Sequence, residues 1–186
     1  MKERLVRFRS FWIFPGLAVI LLLLTRVAEP IGQIRDLIWL FPLGLFAWTL
    51  IEYGLHRFVF HVEIANTRLR RLVNSSHMEH HAEPRSAEHL LVKTGYGMAV
   101  SGLLYGIALA VTQNWVDAAG IMSGIWAGFL YYEFVHYRVH LTIGNSPLMA
   151  YQRRTHFHHH FRDSGSCFGV TTPLWDYVFR TAHVRD

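Results

Sequence analysis

Four long apolar runs separated by polar connectors set the rhythm of this chain. The first extends from Phe11 to Leu24, behind Lys2, Arg4, Arg7 and Arg9. A spanning helix needs roughly 20 apolar residues, with a range of about 17–25. A span over residues 8–27 meets that once Phe8 and Val27 are included, with Arg26 snorkelling from its far end. Thr25-Arg-Val-Ala-Glu-Pro30 offers no small-x-small cleavage site, so the run is expected to be a retained anchor rather than a cleaved leader. After a connector around Gly32 to Asp36, the second run passes from Leu37 to Tyr53 directly into Gly54-Leu-His-Arg-Phe-Val-Phe-His61. Charge at a bilayer centre costs about 2.5–3.5 kcal/mol per residue. Glu52, His56 and Arg57 therefore mark where a span over residues 37–55 leaves the hydrocarbon.

A polar stretch from Glu63 to Glu88 follows, with Arg68, Arg70 and Arg71 within it. The third and fourth runs predict spans over residues 94–112 and 118–136, joined by the turn Thr112-Gln-Asn-Trp-Val-Asp117. Gly102, Gly106 and Ala110 form a row of small residues in one, and Gly120, Gly124 and Gly128 form a row in the other. Such rows let membrane helices approach closely, so the two are expected to form a tightly packed hairpin. Loops rich in Lys and Arg favour the cytoplasmic side. That rule puts the N-terminus, the Arg57–Lys93 region and the Arg138–Asp186 tail together on that side. The expected architecture is an all-α integral membrane protein, a single domain over residues 1–186. It has four spans and a cytoplasmic helical cap made from residues 56–93 and 137–186.

Composition agrees with that pattern. The chain is 186 residues long, 52% hydrophobic and 15% aromatic, with a formal net charge of +5. Its Lys and Arg residues lie between apolar runs rather than along one stripe, which argues against nucleic-acid binding. Cys167 is the one cysteine, so neither an internal disulfide nor a CxxC motif exists.

Histidine spacing changes the picture most. Ten of the 13 histidines form the spacings HxxxxH (His56, His61), HxxHH (His77, His80, His81), HxxxH (His136, His140) and HxxHH (His156, His159, His160). Residues three and four apart share a helix face, so His77, His80 and His81 can converge, as can His136 with His140, and His156 with His159 and His160. His158 points away from its neighbours. His56 and His61, five apart, do not share a face of a regular helix; they need a local bulge or a break near Gly54, or they approach the site from different sides. A buried polar group left unpaired costs about 1–3 kcal/mol, against a total stability of about 5–15 kcal/mol. Ten buried imidazoles without ligands are not affordable, and ten nitrogens exceed one ion's coordination shell, so two metals are expected. Imidazole suits iron, zinc, copper and nickel alike. Glu52 and Glu133 lie within one turn of His56 and His136, and are candidates for acceptors that orient ligand imidazoles. Glu79, Asp163 and Asp176 are further candidates.

The four boxes in order, with apolar spans between them, resemble the fatty acid hydroxylase and sterol desaturase superfamily. Tyr131-Tyr-Glu-Phe-Val-His-Tyr-Arg-Val-His140 is similar to that family's third box. Cys167-Phe-Gly-Val-Thr-Thr-Pro-Leu-Trp-Asp-Tyr-Val-Phe-Arg-Thr181 resembles its terminal signature, especially that of the fatty acid 2-hydroxylase branch. The resemblance covers roughly Leu50 to Thr181. It implies a non-haem enzyme with two iron ions, with zinc as an alternative occupant after purification, that uses O2 and electrons to hydroxylate a lipid. It also implies that the ten histidines are the metal ligands, with no catalytic residue beyond them. Two positions depart from the pattern: Cys167 and Arg180 stand where the family often has glycine. The chain carries neither a fused haem domain nor a nucleotide-binding glycine fingerprint, so a separate electron-donor protein is expected. In the terminal signature, Thr172 is expected to cap a short helix with Pro173 at its first position. Trp175, Tyr177 and Phe179 would then form a lid.

Within the same class, a carotenoid ring hydroxylase and a sterol-type oxidase or desaturase share this layout. A metal transporter or a metal-storage membrane protein is the rival from another class, although transport sites usually lie near the bilayer midplane. A metallohydrolase is disfavoured, because no carboxylate shares the histidine spacing.

Overall fold

Eight α-helices and one π-helical turn account for the regular structure in the computed structural model, which describes residues 10–28, 37–73, 75–86, 89–141 and 146–183. In chain order the helices are α1 (Ser10–Ala28), α2 (Leu37–Leu55), α3 (Thr67–Val73), α4 (Ser75–Ala82), α5 (Thr94–Thr112), α6 (Trp115–Leu141), α7 (Pro147–Phe161) and α8 (Leu174–Val178). The π-helical turn, His56–Phe60, continues α2. Among the described residues there is no strand, as expected of an all-α protein. The basic N-terminal group, the connector around Gly32 to Asp36 and the side chain of Arg26 lie outside the described residues.

Among the described residues, two helices are long and apolar enough to cross a membrane: Leu37–Phe60, which is α2 with its π-helical turn, and α5. The apolar part of α1, Ser10–Leu21, is shorter.

The chain divides into two compact units, Met1–Trp48 with Lys93–Leu130, and Thr49–Val92 with Tyr131–Asp186. In the first, Phe14, Val116, Ala118 and Met122 are fully buried. Phe14 packs edge-on to Phe129 at 5.2 Å between ring centroids, and Trp48 meets the same ring at 5.4 Å. Large apolar side chains also face outward, with Trp39 and Val111 each 77% exposed. Large apolar side chains exposed to this degree suit a lipid or protein contact rather than water.

The small-residue rows behave differently from the expected hairpin. A Cβ at Gly124 would lie 2.1 Å from the Phe41 carbonyl oxygen, and one at Gly128 would meet the Trp48 side chain at 2.5 Å. Gly120 faces Leu37 and Leu40 in the same way. The row in α6 is therefore the seat of α2, whereas a Cβ at Gly102 or Gly106 would meet no packed group within 4 Å, and both lie exposed with Ala110. Spacing alone identifies a face that permits close approach, but not the helix that uses it. The contact between α5 and α6 includes a hydrogen bond from the Trp126 indole to Ser101 (3.1 Å). Asn114 caps α6 by accepting the Val116 N–H at 2.8 Å.

The second unit gathers the polar chemistry. Its buried side chains include Tyr53, Val135, Val139, Phe168 and Val170, together with Glu52, Glu133, Asp176 and six histidines. Ser146 caps α7 by accepting the Met149 N–H, with Pro147 in its first turn. The terminal helix begins one residue later than expected. Pro173 is the residue before α8 rather than its first, and Thr172 Oγ accepts the Leu174 N–H at 3.3 Å.

Candidate metal centre

The ten spaced histidines sort into two groups of five, each with its candidate ligand atoms within 4.8 Å of one another. The first group is His56, His61, His77, His81 and His159; the second is His80, His136, His140, His156 and His160. Each HxxHH box is thus divided between the groups rather than converging on one point. At about 100° per residue, positions i and i+4 differ by only about 40° around the helix, whereas i+3 and i+4 diverge by about 100°. His77 with His81, and His156 with His160, therefore share a centre, while His80 and His159 project to the neighbouring one.

The π-helical turn resolves the five-residue spacing of the first box. Its wider turn brings residue i+5 back over residue i, and the rings of His56 and His61 lie 5.1 Å apart. His158 turns away and stacks on His183 at 3.8 Å. His89 lies 3.5 Å from Glu79, which places that carboxylate beside a histidine of neither group.

Within each group the Nε2 atoms converge. His61 Nε2 lies 2.9 Å from both His77 Nε2 and His159 Nε2, and His77 Nε2 lies 3.1 Å from His81 Nε2. In the second group, His80 Nε2 is 2.9 Å from His136 Nε2 and 3.1 Å from His160 Nε2. His140 Nε2 is 2.8 Å from His156 Nε2. Nitrogens about 2.1 Å from one metal ion sit about 3 Å apart when their bonds are at right angles.

The far side of several rings fixes the tautomer. His56 Nδ1 donates to the Phe168 carbonyl (2.5 Å), His159 Nδ1 to Ser166 (2.8 Å) and His136 Nδ1 to Leu90 (3.0 Å). A carbonyl only accepts, so Nδ1 carries the proton and the Nε2 lone pair faces the group. His56 Nε2 is buried without a hydrogen-bond partner, as expected of a nitrogen aimed at an ion. Burial first, and the neighbouring imidazoles second, push His81 down to about 3 and His140 to about 2. His159 falls to about 4, again chiefly through burial, with the Ser166 carbonyl opposing the shift. His77, His80, His156 and His160 are lowered by the same causes. At neutral pH these rings are neutral, which is the form that binds metals. The donor set and its geometry fit two metal ions.

Three of the carboxylates named from sequence, Glu52, Glu133 and Asp176, grip backbone N–H groups. Glu52 Oε1 accepts the N–H groups of Val170 (2.7 Å) and Thr171 (2.8 Å), and its Oε2 accepts the Thr171 hydroxyl (2.7 Å). Glu133 Oε1 accepts the Val92 N–H at 3.0 Å. Asp176 accepts from Phe168 N–H, Gly169 N–H and the Thr181 hydroxyl at 2.8–2.9 Å. Burial raises the Asp176 carboxyl, while these donors pull it down. Asp163 lies in the turn before this segment, where it accepts the Gly165 N–H at 2.9 Å.

Sequence reasoning missed the segment 166–171 as a supporting element. It also missed Gln152, whose amide donates to the Thr171 carbonyl at 3.0 Å. Gly169 was missed too: a Cβ there would lie 2.1 Å from the Thr172 carbonyl oxygen. No spacing signal marks a backbone carbonyl. Cys167 and Arg180, the two departures from the expected glycines, both adopt the left-handed region, with φ of 56° and 58°.

The site defines a class: a helical protein whose two five-histidine groups can each hold a metal ion. The chain belongs to the fatty acid hydroxylase family, whose model matches residues 41–181. It is 32% identical over 139 residues to dihydroceramide fatty acyl 2-hydroxylase FAH2 of Arabidopsis thaliana, covering 74% of this chain and 58% of that protein. It is 28% identical to FAH1 of the same plant, covering 92% of this chain and 73% of the relative. Human fatty acid 2-hydroxylase is 32% identical over 145 residues, 76% of this chain and 39% of that protein. The solved structure titled full-length scs7p, with only its hydroxylase domain visible, superposes with a TM-score of 0.82 at 26% identity. That match covers 96% of this chain and 67% of the solved one.

Proposed function

We propose that the chain is an O2-dependent, non-haem di-iron hydroxylase that acts on a lipid C–H bond, most directly on a fatty acid or fatty-acyl chain. The observation that carries this reading is the sorting of ten histidines into two groups of five facing nitrogens, in a chain of the fatty acid hydroxylase family. His56, His61, His77, His81 and His159 would hold one iron, and His80, His136, His140, His156 and His160 the other. Bound iron supplies the activation of O2 that no side chain here could provide. The protein's own part is to keep the Nε2 lone pairs neutral, inward and fixed, and to admit the acyl chain. Relatives named as fatty acid and ceramide hydroxylases support a fatty-acyl substrate. Reducing equivalents come from a separate electron-donor protein.

We place the chain in the membrane as four spans, over residues 8–27, 37–55, 94–112 and 118–136, with both termini and the histidines on the cytoplasmic side. The length and apolarity of α2 and α5 support this, as does the outward-facing apolar surface of the first unit. Single cysteines placed at Gln113 and Arg154 test the arrangement. An impermeant maleimide should label them from opposite sides of sealed vesicles; labelling of both from one side would contradict it.

The test of function compares lipid extracts from one host expressing the wild type or His80→Ala, by high-resolution mass spectrometry. A fatty-acyl species gaining one oxygen with the wild type alone is the expected result. Loss of two hydrogens instead would mean desaturation. Identical extracts, with O2 and a competent donor supplied, would contradict the reading.

A further inference from the structure

Two backbone segments meet the two histidine groups in the same way, and nothing in the histidine spacing accounts for it. In the first, the Phe168 carbonyl accepts from His56 Nδ1, and two residues on the Val170 N–H is gripped by Glu52, which lies one turn before His56. In the second, the Leu90 carbonyl accepts from His136 Nδ1, and two residues on the Val92 N–H is gripped by Glu133, which lies one turn before His136. Both carboxylates are buried, at 4% and 0% exposure. The helix that carries a ligand thus also carries the clamp for the strap that orients that ligand.

We propose that Glu52 and Glu133 are positioning residues, each tuning one metal centre by fixing the strap whose carbonyl sets its histidine's tautomer and ring angle. Asp176 is a second clamp on the first strap alone. It holds the N–H groups of Phe168 and Gly169, next to the carbonyls that receive His56 and His159. The first centre therefore has two imidazoles seated on one doubly clamped strap, and the second has one imidazole seated on residues 90–92. Outer partners of metal-bound histidines typically govern affinity by about 10–100-fold. Here that control passes through a peptide carbonyl, and it is separable between the centres.

This inference rests on the two-metal reading, and the experiment separates the two. Apo protein in detergent is titrated with Co2+, followed by its visible absorption, in a His80→Ala background that disables the second centre and a His77→Ala background that disables the first. In the His80→Ala background, Glu52→Ala should weaken cobalt binding about 10–100-fold, while Glu133→Ala leaves it unchanged. The His77→Ala background should show the reverse. Glu52→Gln, whose amide oxygen still accepts the two strap N–H groups, should restore affinity and the cobalt spectrum. If Glu52→Ala fails to fold, Asp176→Asn takes its place, because its amide N–H opposes a strap N–H; it should weaken the first centre only. Parallel losses at both centres, or no loss at either, would overturn the clamps while leaving the metal reading intact. No cobalt binding in either background, with helical content retained, would overturn both.

Discussion

The Nε2 atoms of His61 and His159 lie 2.9 Å apart although 98 residues separate them in the chain. His159 donates its Nδ1 proton to Ser166, so its Nε2 presents a lone pair to His61. His158, its immediate neighbour, stacks on His183 instead. His159→Ala should therefore abolish lipid oxidation, whereas His158→Ala should retain most of it. Equal loss in the two variants, measured as product per membrane-inserted protein, would contradict the division of this run.

Acid should unfold the metal-free protein through the same histidines. Burial holds His159 at about 4 and His81 at about 3, while an unfolded histidine titrates near 6.5. Between those values the unfolded chain binds more protons, so stability rises with pH in that window and levels off above it. Thermal unfolding of the apo protein should be flat above about pH 7 and fall steadily as pH drops from about 6.5 towards 4. A midpoint that rises on acidification would contradict the assigned burial.

The two glycine rows separate by mutation. Gly124→Ala drives a methyl into the Phe41 carbonyl, and overpacking of this kind costs about 1–3 kcal/mol. Gly106→Ala meets open space and removes a helix-interior glycine, for a gain of about 0.5–1 kcal/mol. Thermal unfolding in detergent should move in opposite directions for the two. A matched loss would mean that the α5 row is also a seat.

Arg180 is exposed and carries a φ of 58°. The left-handed region costs a non-glycine residue about 1–2 kcal/mol, and glycine's extra freedom in the unfolded chain takes back about 0.5–1 kcal/mol. Arg180→Gly should therefore raise the unfolding midpoint slightly without changing metal content. A lowered midpoint would show that the arginine side chain contributes more than its backbone costs.

The spacing of the histidines carried much of the site because helix geometry is strict. His77 and His81, or His156 and His160, can hardly avoid sharing a face. The five-residue gap between His56 and His61 excluded a regular helix but left a bulge, a break or two directions of approach open; the π-helical turn supplies the bulge. The division of each HxxHH box between two centres was less legible, since i+3 and i+4 both count as neighbours until a partner helix is placed. The straps at residues 90–92 and 166–171 were not legible at all. They work through carbonyl and N–H groups that every residue possesses, and which Glu52, Glu133 and Asp176 happen to reach. The partner of the α6 glycine row was hidden for a related reason: a small-residue face says that something comes close, not which helix it is.

Two separate five-histidine metal centres should each load one ion. Counting metal ions per chain in purified, iron-loaded protein tests this most directly, using the wild type, His77→Ala, His156→Ala and the double variant. The expected count is two metals in the wild type, one in each single variant and none in the double variant. A single metal lost in full with either substitution would mean one shared centre, and two metals retained throughout would mean that these histidines are not the ligands.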